Sequence, residues 1–345
     1  MGSLLDEGVA SAGREVTVPG MTKKERLRAA LAGEPVDRPP VSMWGHDFLN
    51  EWSAEDLAAV TLAQYHLHDW DFIKLNPRWT FFAEAWGNTY EPPSEQRNPR
   101  TLTLSVSDAA GLAALRSVDG RTGPFAEQLE ALRLVLAEVG DEVDVIQTLF
   151  SPLAVTGQLL GRPDDLIALA ERDPAATHQA IAAVTATLVD YAAATLEAGA
   201  AGVFFAPLVW ASHDVCSEAF YGEFGRPYDL QLLQTIREAD FNVLHVCRNH
   251  NMIDLLLDYP VAAVNWAEHG EGNPSLADVW GRTDKAVMGG IDQTRLDEMV
   301  AVEVEASAQK AAAVGSSRLL VTPGCSIPPT TPEANRTALV TSIRG

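Results

Sequence analysis

Residues 241–247, Phe-Asn-Val-Leu-His-Val-Cys, form a short apolar run between two stretches of helical sequence, residues 217–239 and 251–258. Seven other apolar runs lie in the same setting, each separated from the next by sequence that favours a helix. They span about 40–44, 71–75, 143–149, 202–206, 262–267, 286–291 and 318–323. Short, continuously apolar strands that alternate with helices are typical of a buried parallel sheet.

Eight such strands, each followed by helical sequence, match the count of a (β/α)8 TIM barrel, an α/β fold that often exceeds about 250 residues. We therefore expect residues 21–345 of this 345-residue chain to form a single barrel domain, and residues 1–20 to form a flexible N-terminal arm. An open doubly wound sheet is the alternative. It is disfavoured because no glycine-rich phosphate loop follows the first predicted strand.

The net charge and the number of cysteines limit the kinds of binding partner and cellular location that we expect. The formal net charge of −22 disfavours binding to nucleic acid and to an anionic membrane surface, because both need clustered lysine and arginine. Three cysteines are too few for a disulfide scaffold, and we expect no hydrophobic stretch long enough to span a membrane and no signal peptide. These features predict a cytoplasmic protein, in which free thiols act as metal ligands or as packing groups.

The strand at 241–247 ends in the tripeptide His-Val-Cys. Because residues i and i+2 of a strand point to the same face, His245 and Cys247 would present an imidazole and a thiol to one point. Active-site groups of a barrel lie at the carboxyl ends of its strands, where Cys325 follows the eighth strand and Glu268 the sixth. One imidazole, two thiolates and a carboxylate would suit catalytic zinc. The alternative is that the cysteines are small buried apolar groups and His245 is a hydrogen-bonded core residue.

Five segments of the chain carry a more specific pattern. They are MTKKERLRAALAGEPVDRPP at 21–40, FSPLAVTGQLLG at 150–161, FYGEFGRPY at 220–228, GGID at 289–292 and PGCSIPPTTPEAN at 323–335. Together they resemble the uroporphyrinogen decarboxylase superfamily, and the resemblance extends over nearly all of the chain from residue 21 onward. It implies a (β/α)8 barrel of the uroporphyrinogen decarboxylase type.

Two branches of this superfamily differ at the active site. The decarboxylases of the superfamily that this chain resembles carry a Met-Arg-Gln-Ala-Gly-Arg-Tyr segment that binds substrate carboxylates. Residues 43–48 of this chain are Met-Trp-Gly-His-Asp-Phe and contain no arginine. The chain is more similar to zinc-dependent methyltransferases of the methylcobamide:coenzyme M type. Their His-x-Cys and distant Gly-Cys motifs match His245, Cys247 and Cys325 as zinc ligands. Some members place an acidic fourth ligand about twenty positions after His-x-Cys, where this chain has Glu268.

This resemblance implies a zinc-dependent, cobalamin-linked methyltransferase. It would move a methyl group from a methylcorrinoid protein, or from a small methylated donor, to a zinc-activated thiol or a related acceptor. The chain has no corrinoid-binding Asp-x-His-x-x-Gly motif, so methylcobalamin would be carried by a separate corrinoid protein. Two alternatives stay open, namely a decarboxylase for a porphyrinogen-like substrate and a non-catalytic zinc- or corrinoid-binding protein. A homodimer is the assembly that we consider.

Polar and aromatic residues near the predicted strand ends are candidates for binding a substrate or cofactor. Tryptophans at the barrel mouth would suit a flat ring, a corrin or a methylated cation, although packing over the barrel rim is the alternative explanation. The candidates are Trp44, His46, Asn76, Trp79, Trp210, His213 and Asp292. Further candidates are Trp266, Asp47, Arg78 and Asp214, whereas Cys216 is predicted to have no role.

Overall fold

A computed structural model describes residues 20–344 of the chain, and residues 1–19 of the predicted arm lie outside this range. Its strands are β1 (Phe72–Leu75), β2 (Thr89–Glu91), β3 (Arg100–Thr103), β4 (Asp144–Phe150), β5 (Gly202–Ala206), β6 (Val243–Val246), β7 (Ala263–Trp266), β8 (Ala286–Ile291) and β9 (Leu319–Pro323). Seven of the strands in residues 20–344 form one curved parallel sheet in the order β1-β4-β5-β6-β7-β8-β9. All seven coincide with predicted strands to within a few residues.

Residues 40–44, predicted as the first strand, lie between the two edges of this sheet. Val41 forms a parallel bridge with Val321 of β9, and the Val321 N–H donates to the Pro40 carbonyl over 2.9 Å. On the other side, the Asp71 N–H donates to the Val41 carbonyl over 2.8 Å. The segment is not a regular strand, because proline has no N–H and the Val41 N–H donates to the Asp71 carboxylate instead. The prediction of a strand here was wrong, but the segment closes the predicted (β/α)8 barrel.

Helices alternate with the strands of the large sheet. They are α1 (Lys23–Ala32), α2 (Ala54–His68), α3 (Phe81–Glu84), α4 (Ala109–Ala114), α5 (Pro124–Val139), α6 (Pro152–Leu160), α7 (Pro163–Arg172), α8 (Pro174–Glu197), α9 (Glu218–Phe224), α10 (Arg226–Thr235), α11 (Ile253–Leu256), α12 (Leu276–Trp280), α13 (Ala301–Ala312) and α14 (Glu333–Arg344). Helix α1 begins with a capping box, in which Thr22 and Glu25 each bond the other's backbone N–H.

The predicted helix at 217–239 is two helices, α9 and α10. The helix is interrupted at Gly225, and Pro227 lies at the second position of α10. Proline cannot donate the backbone hydrogen bond that a continuous helix would need there, so a new helix starts instead. Strands β2 and β3 form an antiparallel hairpin outside the barrel.

Helix α8 meets the criteria of length and apolar composition for crossing a membrane, and it is the one helix in residues 20–344 to do so. The expectation that no stretch reaches that length was therefore wrong. One face of α8 is buried, with Ile181, Val184 and Leu188 inaccessible to solvent, and it packs against α6, α7 and α10. Since a buried core helix meets the same criteria, this finding is weak evidence for a membrane span.

Candidate active site

The site is built above an apolar layer that fills the barrel. This layer contains Leu27, Trp44, Phe72, Ile146, Phe204, Val243, Ala263, Met288 and Leu320. Two residues further along β1, β6 and β7, on the same inward-facing rows, the side chains are Lys74, His245 and Asn265. All three are buried. The change from apolar to polar side chains occurs toward the carboxyl ends of the strands, where barrel enzymes hold their chemistry.

The orientation of His245 is set by Asn265 on the neighbouring strand. The Asn265 amide N–H groups donate to the carbonyls of Met288 (3.0 Å) and Pro323 (3.1 Å), so its Oδ1 faces His245. His245 Nδ1 lies 2.7 Å from that oxygen and must carry the proton. The Nε2 atom therefore has a free lone pair. Burial lowers the pKa of His245 to about 3, which keeps the imidazole neutral, the form that binds metals.

Cys247 and Cys325 lie near each other at the ends of β6 and β9. Burial raises the pKa of Cys247 to about 12, and the nearby Cys325 contributes to this shift. Burial also raises the pKa of Cys325, against the opposing charges of Lys74 and Arg248. In the protein without a metal, both groups are therefore neutral thiols at pH 7. A dication would change this, because a thiol that coordinates zinc is deprotonated.

The chemical types of these donors fit zinc, although the side chains are not positioned as a preformed metal site. His245 offers a neutral nitrogen with a free lone pair, and Cys247 and Cys325 offer sulfur, which is a ligand set of catalytic zinc sites. Within residues 20–344, no three His, Cys, Asp or Glu side chains are grouped closely enough to hold a metal. Binding of zinc at these residues therefore requires movement of the side chains.

Glu268, the predicted fourth ligand, points elsewhere. Its carboxylate accepts hydrogen bonds from the backbone N–H groups of Gly290 in β8 and Leu276 at the start of α12, the latter over 3.1 Å. Burial raises the pKa of Glu268, and nearby His269 opposes this shift. The role of Glu268 as a zinc ligand stays a prediction. It would require the carboxylate to leave both backbone N–H groups.

A cavity of about 360 Å³ lies beside the polar layer, between residues 42–47, the inner face of α2 and the loop at 327–329. Trp44, His46 and Asn76 of the predicted set line it, as does Asp47. His46 Nδ1 is 2.8 Å from Glu51 Oε2. This volume is near the lower end of the range for small-molecule sites.

The other candidates lie outside this cavity. Trp210 is buried in the helical layer beside Phe220, and the indole of Trp79 donates to Asn98 near the hairpin. His213 Nε2 lies 3.7 Å from Glu218 Oε1, and the Asp292 carboxylate accepts a hydrogen bond from the Thr294 N–H. Of the four tryptophans predicted at the barrel mouth, Trp44 lines this cavity, whereas Trp79, Trp210 and Trp266 do not. The roles of Trp79, Trp210, His213 and Asp292 in substrate contact stay predictions.

Two further candidates have structural partners. The Arg78 guanidinium is buried between the carboxylates of Glu84 and Glu127, which leaves it little capacity to bind a substrate. Trp266 is fully buried, and its indole N–H donates to the Pro274 carbonyl over 2.8 Å. Packing therefore accounts for Trp266, the alternative explanation given for the tryptophans.

Three charged residues of the cavity, Lys74, Glu51 and Arg336, were not among the residues predicted from the sequence. Burial lowers the pKa of Lys74 to about 7, while Cys325 and Glu51 act in the opposite direction. The Lys74 ammonium lies 4.8 Å from the ring of Phe204, which stacks on the His245 imidazole at 4.9 Å. One signal was available, since a lysine inside the otherwise apolar run of β1 has no ordinary packing role.

Known proteins match this chain over almost its full described length. A family model described as uroporphyrinogen decarboxylase (URO-D) matches residues 22–345. The methylcobamide:CoM methyltransferase MtbA of Methanosarcina mazei is 24% identical over 344 residues, covering 92% of this chain and 96% of that protein. A uroporphyrinogen decarboxylase of Ruegeria pomeroyi is 28% identical over 208 residues, covering 52% of this chain and 58% of that protein.

A solved structure described as a methyltransferase from Methanosarcina mazei has the same fold. It superposes with a TM-score of 0.81 at 25% identity, covering 94% of this chain and 98% of that one. The predicted superfamily and fold class are confirmed by these matches. The chain belongs to the uroporphyrinogen decarboxylase (URO-D) family.

Proposed function

We propose that this protein is a methyltransferase that transfers a methyl group from a methylcorrinoid protein, or from a small methylated donor, to a thiol. The observation that carries the proposal is that His245, with its Nε2 lone pair free, and Cys247 lie at the end of β6, where Cys247 is near Cys325. The full-length similarity to a methylcobamide:CoM methyltransferase supports the same activity. The similarity to a decarboxylase extends over about half of the chain.

In this proposal His245, Cys247 and Cys325 would hold zinc. Zinc bound there would lower the pKa of an added thiol, so that the acceptor is a thiolate nucleophile at neutral pH. The acceptor exchanges its S–H bond for an S–CH3 bond, its proton passes to solvent, and the donor keeps the electron pair of its bond to the methyl group. Asn265 keeps the imidazole in the ligating tautomer, and the barrel wall restricts access of water.

Decarboxylation of a porphyrinogen is the weaker candidate. Such a substrate carries many carboxylates on a large ring, whereas the cavity is about 360 Å³ and the segment that lines it at 43–47 contains no arginine. Methylcobalamin on a separate corrinoid protein, a cytoplasmic location and a homodimer also belong to this proposal. The missing corrinoid motif supports the first of these.

The proposed reaction is tested by incubating the zinc-loaded protein with methylcobalamin and a panel of small thiols, followed by mass spectrometry of the products. We expect at least one thiol to be converted to its methyl thioether over many turnovers. A protein that binds zinc or cobalamin but yields no methyl thioether would be a binding protein, and the proposal would be wrong.

The Asn265→Leu variant tests the ligand role of His245 without removing any ligand. Without the Asn265 oxygen, the Nδ1–H bond is lost and the imidazole is free to rotate. Loss of such a partner typically weakens metal affinity about 10–100-fold. Zinc affinity is measured by competition with a chelator, and Asn98→Leu on the exposed hairpin loop is the control. Unchanged affinity in Asn265→Leu, with the variant folded, would contradict the ligand role of His245.

A further inference from the structure

The cavity beside the polar layer contains buried polar atoms that have no partner. Among residues 20–344, Glu51 Oε1, Asn76 Nδ2 and Arg336 Nε are all buried without a hydrogen bond, and all three residues line this cavity. Buried polar groups in folded proteins are nearly always paired. Arg336 is partly exposed, but Glu51 and Asn76 are themselves buried, and their unpaired groups indicate that a ligand supplies the missing hydrogen bonds.

Donors occupy the end of the cavity at β1. The buried Lys74 ammonium has only donors, and one of them is bonded to Asn76 Oδ1. That bond fixes the Asn76 amide with its Nδ2–H groups unpaired. Lys74 and Asn76 therefore present N–H groups that lack an acceptor. A carboxylate is the ligand group that accepts from an ammonium and an amide together.

A buried hydrogen-bond acceptor, the carboxylate of Glu51, lines the same cavity. Glu51 is 1% exposed, its Oε2 is bonded to His46 Nδ1, and its Oε1 has no donor. A buried carboxylate oxygen of this kind calls for an N–H donor. Of the other charged groups in the lining, Asp47 and Arg336 offset each other. The positive and negative charges of the lining residues thus balance. The lining contains both hydrogen-bond donors and hydrogen-bond acceptors that lack partners.

We propose that this cavity binds a small zwitterion with the head group of an amino acid, its carboxylate at Lys74 and Asn76 and its ammonium at Glu51. The Lys74 ammonium lies 4.8 Å from the ring of Phe204, which stacks on the His245 imidazole, so the remainder of such a molecule would extend toward His245 at the barrel mouth. The methyl acceptor would then be a thiol with an amino-acid head group. This last step rests on the proposed function, whereas the binding of the head group does not.

The head-group preference is tested with three sulfur-free probes, L-2-aminobutanoate, butanoate and propylamine, by calorimetric titration of the protein as purified. We expect the zwitterion to bind at least about tenfold more tightly than either singly charged probe, because each of those leaves one buried polar cluster unpaired. Equal affinities within a factor of two would overturn the proposal.

Three variants test which side chains bind the carboxylate and the ammonium of the ligand. Glu51→Gln is expected to abolish the preference for L-2-aminobutanoate over butanoate, whereas Lys74→Met is expected to weaken both by at least about tenfold. Asn76→Leu removes the amide donor without a change of charge and should weaken both probes as well. Glu130→Gln, on the exposed face of α5, is the matched control and should bind as the wild type does. Unchanged preference in folded Glu51→Gln would contradict the assignment.

These outcomes separate the two proposals. Selective binding of L-2-aminobutanoate without any methyl transfer would remove the proposed function and leave the head-group site. Methyl transfer without a preference for the zwitterion would remove the head-group site alone.

Discussion

Replacement of Cys247 or Cys325 by serine is expected to abolish stoichiometric zinc binding and, with it, methyl transfer. A serine hydroxyl is a harder donor than a thiolate and is not deprotonated by zinc as a thiol is, so the site loses one of its three strong ligands. We expect a larger loss than the about 10–100-fold that removal of an outer partner such as Asn265 causes. Zinc content after dialysis and the rate of methyl thioether formation are the measurements.

Cys216→Ser is the matched control for these variants. The Cys216 thiol is 3.2 Å from the Trp210 carbonyl, away from β6 and β9, and it should be replaceable without loss of zinc. Equal zinc content in the wild type and all three serine variants would exclude the proposed metal site.

Removal of the Asp71 carboxylate is expected to destabilise the fold by about 3–5 kcal/mol, the usual effect of breaking a buried ion pair from one side. Asp71 is fully buried and holds Arg26 (2.7 Å), Arg38 (2.6 Å) and the Val41 N–H (2.8 Å). It thereby fastens the barrel-closing segment at 40–44 to β1. In Asp71→Ala the Arg26 guanidinium stays buried with part of its pairing lost.

The stability change is measured by urea denaturation, with Asp254→Ala as the control. Asp254 forms an exposed ion pair with Arg282 at 2.8 Å, and an exposed pair contributes about 0–1 kcal/mol. A loss below about 1 kcal/mol in Asp71→Ala would show that this network does not hold the barrel closed.

Much of the fold was predictable because it depends on local patterns. The apolar runs of β4 to β9 and the capping box of α1 specify their elements within a few residues, and the order of the elements specifies the barrel. Residues 40–44 were one exception. Their backbone is paired partly through the Asp71 side chain, 30 residues away, and no local pattern reveals such a bond.

The candidate site was predictable in part. The positions of His245 and Cys247 at the end of β6 and of Cys325 after β9 followed from the strand pattern, whereas their role as metal ligands stays a prediction. The direction of the Glu268 side chain was not predictable, because it is set by backbone N–H groups of β8 and α12. Lys74 and Glu51 were missed for a related reason. Their importance arises from unpaired atoms around a shared cavity, which only three-dimensional contacts reveal.

The most direct test of the central claim is the rate of methyl transfer from methylcobalamin to a thiol by the wild-type protein, with zinc removed and then restored. The proposed function predicts one methyl thioether for each methylcobalamin consumed, loss of the reaction when zinc is removed and its recovery when zinc is returned. A zinc-loaded, folded protein that forms no methyl thioether, or one whose rate is the same without zinc, would contradict it.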